Sequence, residues 1–165
     1  MKRILLLGFL GALTACDRPQ PPVAAHQTPS FYVSMANADA VVDTTMARDM
    51  ISAYRGNKGL GPLSLDPDLQ TLAEAEAAAM ARADKPASAE AVKGRLAAAG
   101  FAVPAANLSA GYHTLAEAFS GWRESAQHDR VLLDPRATRM GIATAYTPNS
   151  KYKVYWTFVV AADKR

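Results

Sequence analysis

The stretch "KYKVYWTFVVAA", residues 151–162, is apolar on both halves of its alternation. In extended backbone successive side chains point to opposite faces, so Tyr152, Val154, Trp156, Phe158 and Val160 share one face while Tyr155 and Val159 occupy the other. A strand that borders water keeps one polar face, and a strand apolar on both faces has to be covered twice. This segment therefore calls for an inner strand between two layers. The preceding "ATRMGIATAY" supplies a partner strand, and "TPNS" between them, with its Pro and Asn, suits the turn of a hairpin.

Helical periodicity supplies the layers. From about Asn37, the residues Val41, Val42, Met46, Met50, Ile51 and Tyr54 recur at three-and-four spacing, which predicts a helix of about four turns. The run "RGNKGLGP" stops it with Gly56 and Gly59. Asp66 before Pro67 reads as a cap and a first helical residue, with Leu69, Leu72, Ala73 and Met80 tracking one face and Glu76 at its edge. A shorter helix in "ASAEAVKGRLAAAG" pairs Val92 with Leu96 and ends at Gly100, a good left-handed cap. "FAVPAANLSAGY" is extended or irregular. Thr114 followed three residues later by Glu117 forms a capping box for a helix whose apolar face is Leu115, Phe119 and Trp122. Trp122 and Trp156 are read as core. Helices before and after short strands give an α/β layered domain.

The chain opens differently. "MKR" is a short positive segment, "ILLLGFLGAL" is apolar but too short for an ordinary transmembrane helix, and Leu13-Thr14-Ala15-Cys16 follows, resembling the lipobox of bacterial lipoproteins. The expected organisation is a signal peptide over residues 1–15, a lipidated Cys16 with a proline-rich spacer over residues 16–36, and one domain over residues 37–165. Cys16 is the sole cysteine, so an intramolecular disulfide is excluded. His26 in the spacer has no second ligand nearby and is read as a solvated linker residue. The formal charge of +3 includes Lys2 and Arg3, and without them 16 basic residues face 15 acidic ones. With no cluster of Lys and Arg among stacking aromatics, a nucleic-acid partner is not expected.

The succession "LGPLSLDPDLQTLAEAEAAAMA", "GRLAAAGF", "ANLSAGYHTLAEAFSGWRES", "QHDRVLLDPRATRMGIATAY" and "YWTFVVA" resembles the bacterial branch of the CAP superfamily, which joins cysteine-rich secretory proteins, antigen 5 and plant pathogenesis-related proteins. The likeness runs from about residue 40 to 162. It implies an α-β-α sandwich of the CAP (SCP-like) type with a shallow groove, where the family collects two histidines and two glutamates proposed to hold a divalent cation.

Residue by residue, the resemblance leaves that tetrad depleted. "QHDRVLL" matches the segment with one family histidine, so His128 carries over, with Gln127 in the place of a glycine. "AAN", residues 105–107, stands where the family has "GEN", which puts Ala106 in the place of a glutamate and Asn107 on the family's asparagine. Residues 81–93 contain no histidine, and the second glutamate falls at Ser125, with Glu117 and Glu124 as near neighbours. His113 falls where the family carries small residues and is read as an exposed turn histidine. The groove candidates are thus His128, Glu117, Glu124, Asn107 and His113, with Cys16 as the lipidation site.

A zinc site needs three or four ligands, so neither a metal nor another cofactor is expected. A hydrolase needs a nucleophile, a base and an orienting group, and no nucleophile-elbow pattern surrounds Ser109, Ser120 or Ser125. The expected function is a non-enzymatic binding module, anchored in the membrane of a bacterial envelope on its extracytoplasmic side, with a groove for an apolar or lipid-like ligand. The alternative is a protein-interaction or structural module of the envelope, and a third reading is a serine hydrolase pairing Ser125 or another serine with His128.

Overall fold

The computed structural model describes residues 27–164; the leader, Cys16 and His26 lie outside the described residues. Its centre is the strand anticipated from its two apolar faces. β1 (Ser64–Leu65), β2 (Phe101–Ala110), β3 (Arg139–Tyr146) and β4 (Val154–Lys164) form one sheet in the order β1-β3-β4-β2. β4 runs antiparallel to both neighbours, and β1 runs parallel to β3. Every residue from Val154 to Ala161 is 0% exposed.

Helices cover both faces, giving an α-β-α sandwich. α1 (Thr44–Gly56), α4 (Leu115–Glu124) and α5 (Ala126–Leu132) meet the face bearing Trp156, Phe158, Met140 and Ile142. There the Trp122 ring stacks on Phe158 at 5.6 Å and meets Trp156 edge-on at 6.1 Å. Both indoles are also satisfied in the interior, Trp122 donating to the Ser109 hydroxyl at 3.1 Å and Trp156 to the Tyr112 carbonyl at 2.8 Å. α2 (Pro67–Ala83) and α3 (Ala89–Ala98) cover the other face through Leu69, Ala73, Ala77, Val92 and Leu96 against Phe101, Ala143 and Val159. α2 comes so close to β3 that a Cβ on Gly141 would stand 2.4 Å from the Leu69 carbonyl group, which reserves that position for glycine.

Local chemistry sets the helix ends. Asp66 accepts from the Asp68 and Leu69 amides, both at 3.0 Å, and Thr114 and Glu117 close the reciprocal capping box. The first helix starts later than its periodicity predicts. Asp43 caps it by accepting from Met46 at 2.9 Å, whereas Asn37 engages the Asp39 amide in a local turn and Val41 is 83% exposed. The side-chain acceptors of Asn37 and Asp43 outcompete the helical pattern that Val41 and Val42 would extend. Met35, from the stretch read as spacer, is buried in the core and donates its amide to the His113 carbonyl at 2.7 Å. Glu76 is buried rather than peripheral, held in a two-pronged pair by Arg95 of α3.

β1 pairs with only the first two residues of β3, and beyond it the Gln70 side chain takes over. Its Nε2 donates to the Ile142 carbonyl at 3.0 Å while its Oε1 accepts from the Ile142 amide at 3.1 Å. One side-chain amide thus replaces one residue of a missing strand.

Candidate functional site

α5 carries His128 against β2. The Asn107 side chain, fully buried, donates from Nδ2 to the His128 carbonyl at 2.9 Å and ties the helix to the strand. His128 is half-buried, and burial pushes its imidazole below the usual histidine range. Its Nδ1 and the Asn107 Oδ1 are both buried without a hydrogen-bond partner among the described residues. Among the described residues no serine hydroxyl hydrogen-bonds the ring. Ser125 instead precedes α5 as its cap residue and accepts the Asp129 amide through its backbone carbonyl at 2.8 Å.

The remaining candidates stand apart from this pair. His113 is exposed, and its backbone amide donates to Glu117 Oε2 at 2.6 Å. The Glu117 carboxylate also accepts the Thr114 amide, so it is occupied by the start of α4. Glu124 is the exposed last residue of the same helix, about 10 Å further along at 1.5 Å per residue. His128 and Asn107 are brought together, His113 and Glu117 are brought together elsewhere, and Glu124 joins neither. Among the described residues, no three His, Cys, Asp or Glu side chains converge as metal ligands would.

An open groove of about 620 Å³ passes from α3, across Ala105 and Ala106 of β2, to α5 and the turn after it; Gln127 and Asp129 line it, whereas His128, Asn107, His113, Glu117 and Glu124 are not among its lining residues. Ala106, the residue in the place of the family's glutamate, and Gln127, in the place of its glycine, both line it. The rest of the lining is largely charged. Glu90 and Lys93 pair at 2.9 Å on the α3 side, and Asp134 and Arg136 pair at 2.8 Å on the other. Asp129 accepts from the Tyr54 hydroxyl at 2.9 Å, and Arg130 is exposed and enters no ion pair among the described residues. The Arg136 guanidinium holds the Asp134 carboxyl below the ordinary carboxylate range.

One residue essential to this wall escaped the sequence reading. Arg55 is buried and donates to four backbone carbonyls, those of Gly61, Leu132, Asp134 and Ala137, at 2.8–3.1 Å. Its burial lowers the guanidinium pKa from its ordinary value. The turn over residues 132–137, which forms one side of the groove, is organised around that side chain. A signal existed: Arg55 lies one helical repeat beyond Ile51 and two beyond Ala47, on the buried stripe of α1, where a charge has to find partners.

Comparisons with known proteins agree with this architecture. The model of the family described as CAP, the cysteine-rich secretory protein family, matches residues 48–160. Among solved structures, a cysteine-rich secretory protein from Staphylococcus aureus aligns with TM-score 0.60 and 19% identity, covering 72% of this chain and 38% of that one. An extracellular protein containing an SCP domain from Bacillus anthracis aligns with TM-score 0.60 and 20% identity, covering 72% and 40%. An outer surface protein from Borrelia burgdorferi aligns with TM-score 0.62 and 16% identity, covering 76% and 98%. The chain therefore spans about two fifths of the first two proteins and nearly all of the third. The sequence matches no curated protein.

Proposed function

The chain belongs to the CAP, or cysteine-rich secretory protein, family, and from that footing we propose that it is a non-enzymatic binding module held outside the cytoplasm by a lipid on Cys16. The observation that carries the reading is the groove itself, an open cleft lined largely by charged side chains, two of whose lining residues, Gln127 and Asp129, flank His128 in sequence. Nucleophilic chemistry needs a base in contact with a hydroxyl or thiol, and among the described residues no such contact supports a hydrolase at His128. The charged lining favours a polar partner, such as a protein of the envelope, over the apolar ligand anticipated from the family likeness. Placement outside the cytoplasm rests on the leader and the lipobox, and agrees with the fold relatives being a secretory, an extracellular and an outer-surface protein.

Native mass spectrometry of the full chain taken from the membranes of its own host tests the binding role. The reading expects a bound polypeptide and no stoichiometric metal. A bound lipid in its place, or substoichiometric protein with a tightly held metal, would contradict it. Membrane fractionation tests the anchor: Cys16→Ser is expected to move the chain to the soluble fraction, and retention in the membrane after salt extraction would count against lipidation.

A further inference from the structure

Residues 27–164 carry as many basic as acidic side chains, but one end of the sheet concentrates the basic ones. Where β3 stops and β4 starts, the turn between them exposes Lys151 and Lys153, and the last turn of α2 and the residues after it expose Arg82 and Lys85. The two segments meet. Arg82 shares a hollow with Tyr146 and Thr147, and the Tyr155 hydroxyl donates to the Asp84 carboxylate. None of the four bases enters an ion pair among the described residues. Asp84 is the sole acid in residues 81–87 and 146–153, which leaves an excess of three positive charges there. Asp39, Asp43 and Glu117 belong to the starts of α1 and α4, on the other face of the sheet, and the last two are held by backbone amides of those helix starts.

Tyr152 stands exposed between the two lysines of the turn, with the Lys151 ammonium 5.2 Å from the centre of its ring. An aromatic ring with a polar tip, set between cations, suits a lipid headgroup layer, where the ring meets apolar chain and the tip and the cations meet water and phosphate. The chain also enters the domain at this end. A Cβ on Gly111 would stand 3.5 Å from the Tyr152 ring, and two residues further on the His113 carbonyl accepts the Met35 amide at 2.7 Å. Ser30 in turn donates to Asp43 at the start of α1, at 2.8 Å. From Cys16 to Gln27 the chain runs eleven residues, at most about 40 Å at about 3.6 Å per residue. A lipid on Cys16 therefore keeps the entry end close to the bilayer, at an effective concentration of about millimolar order, so that a weak surface contact suffices.

We propose that the turn between β3 and β4 and the end of α2 seat on an anionic phospholipid surface, with Lys151, Lys153, Arg82 and Lys85 against the headgroup phosphates and Tyr152 inserted among them. This rests on the lipid anchor proposed above and adds the orientation of the anchored domain. A base at an anionic surface favours contact about fivefold, so an excess of three favours it on the order of a hundredfold. Seated in this way, the domain turns the opposite end of the sheet, where Asp134 and Arg136 of the groove stand just ahead of β3, away from the bilayer.

Cys16 is the sole cysteine, so Asn149→Cys, in the same turn, or Asn57→Cys, at the far end of α1, supplies the one free thiol of a lipidated chain. Each is spin-labelled on the chain as its host processes it, and the chain is placed in vesicles of phosphatidylcholine and phosphatidylglycerol in equal parts. Collision of the label with a water-soluble nickel chelate should be at least about fivefold rarer at position 149 than at position 57, the worth of a single base. The two labels should become equally accessible in vesicles of phosphatidylcholine alone, and in about 1 M salt, where the screening length falls to about 3 Å. They should also become equal in the double variant Lys85→Glu, Lys151→Glu, whose changes lie at exposed positions outside the core. Equal accessibility in the anionic vesicles, with a wild-type chain that takes no label, overturns the seating alone. Protection at position 149 that persists in phosphatidylcholine alone reports a second copy of the chain on this surface and overturns it too. A wild-type chain that takes the label has a free Cys16, and then the anchor itself falls and the seating with it.

Discussion

At the β3 side of the sheet, β1 and then the Gln70 amide take up the backbone groups that the strand turns outward, whereas at the β2 side Ala106, Leu108 and Ala110 turn theirs away from β4 with no partner among the described residues. The two edges belong to one sheet and share β4 as a neighbour two places or one place away. A buried backbone group without a partner costs about 1–3 kcal/mol, so an edge that a helix packs across has to be completed, and α2 completes β3 with Gln70. At the β2 margin no such side chain takes up the outward groups among the described residues. The difference separates a margin that a helix completes from one that no described residue completes.

Substitutions can break that comparison from either side. Arg55→Met is expected to have the largest effect, a loss of about 3–5 kcal/mol, because four carbonyls lose a shared donor and the turn that walls the β2 groove loses its organiser. Urea unfolding followed by circular dichroism checks it, and a loss below about 1 kcal/mol, the worth of a single hydrogen bond, would show that the wall holds without Arg55. Gln70→Leu should cost about 1–3 kcal/mol in the same assay by leaving Ile142 unpaired under α2. It would also convert the completed edge into an incomplete one, so amide exchange at Ile142 should accelerate. An unchanged Ile142 would mean that water already does the work ascribed to the side chain.

The smallest expected effect concerns His128. Its folded pKa lies below its unfolded value near 6.5 because burial disfavours the charged ring. The unfolded chain therefore binds the proton more readily, so this contribution to stability is fully present above about pH 6.5 and is lost as pH falls through the folded pKa. His128→Gln should flatten the fall in melting temperature between neutral and mildly acidic pH. An identical slope in wild type and variant would show that His128 is not desolvated as the packing of α5 on β2 implies.

What the sequence disclosed about these regions was governed by how local the cause was. Burial on both faces of β4 is written in alternate residues, and the caps at Asp66 and Thr114 are complete within four residues, so all three were legible. The start of α1 was misplaced because Val41 and Val42 fit the period while the competing acceptors of Asn37 and Asp43 decide the boundary. The edge position of β2 depends on strand order, and two-residue β1 and the Gln70 contact depend on segments about 72 residues apart, so no local pattern announces them. At the site, His128 and Asn107 were named from the family likeness and do meet, but their meeting runs through a backbone carbonyl. Glu117 was legible as a capping residue, and its carboxylate, also read as a groove candidate, is taken up by the amides of His113 and Thr114 and does not line the groove.

The contrast between the edges is tested most directly by amide hydrogen exchange on the full chain with nothing added. The account predicts fast exchange at Ala106, Leu108 and Ala110, slow exchange at Asn107 and Ser109 between them, and slow exchange at Ile142. Uniform protection along residues 106–110, or an Ile142 amide as fast as that of Ala106, would contradict it.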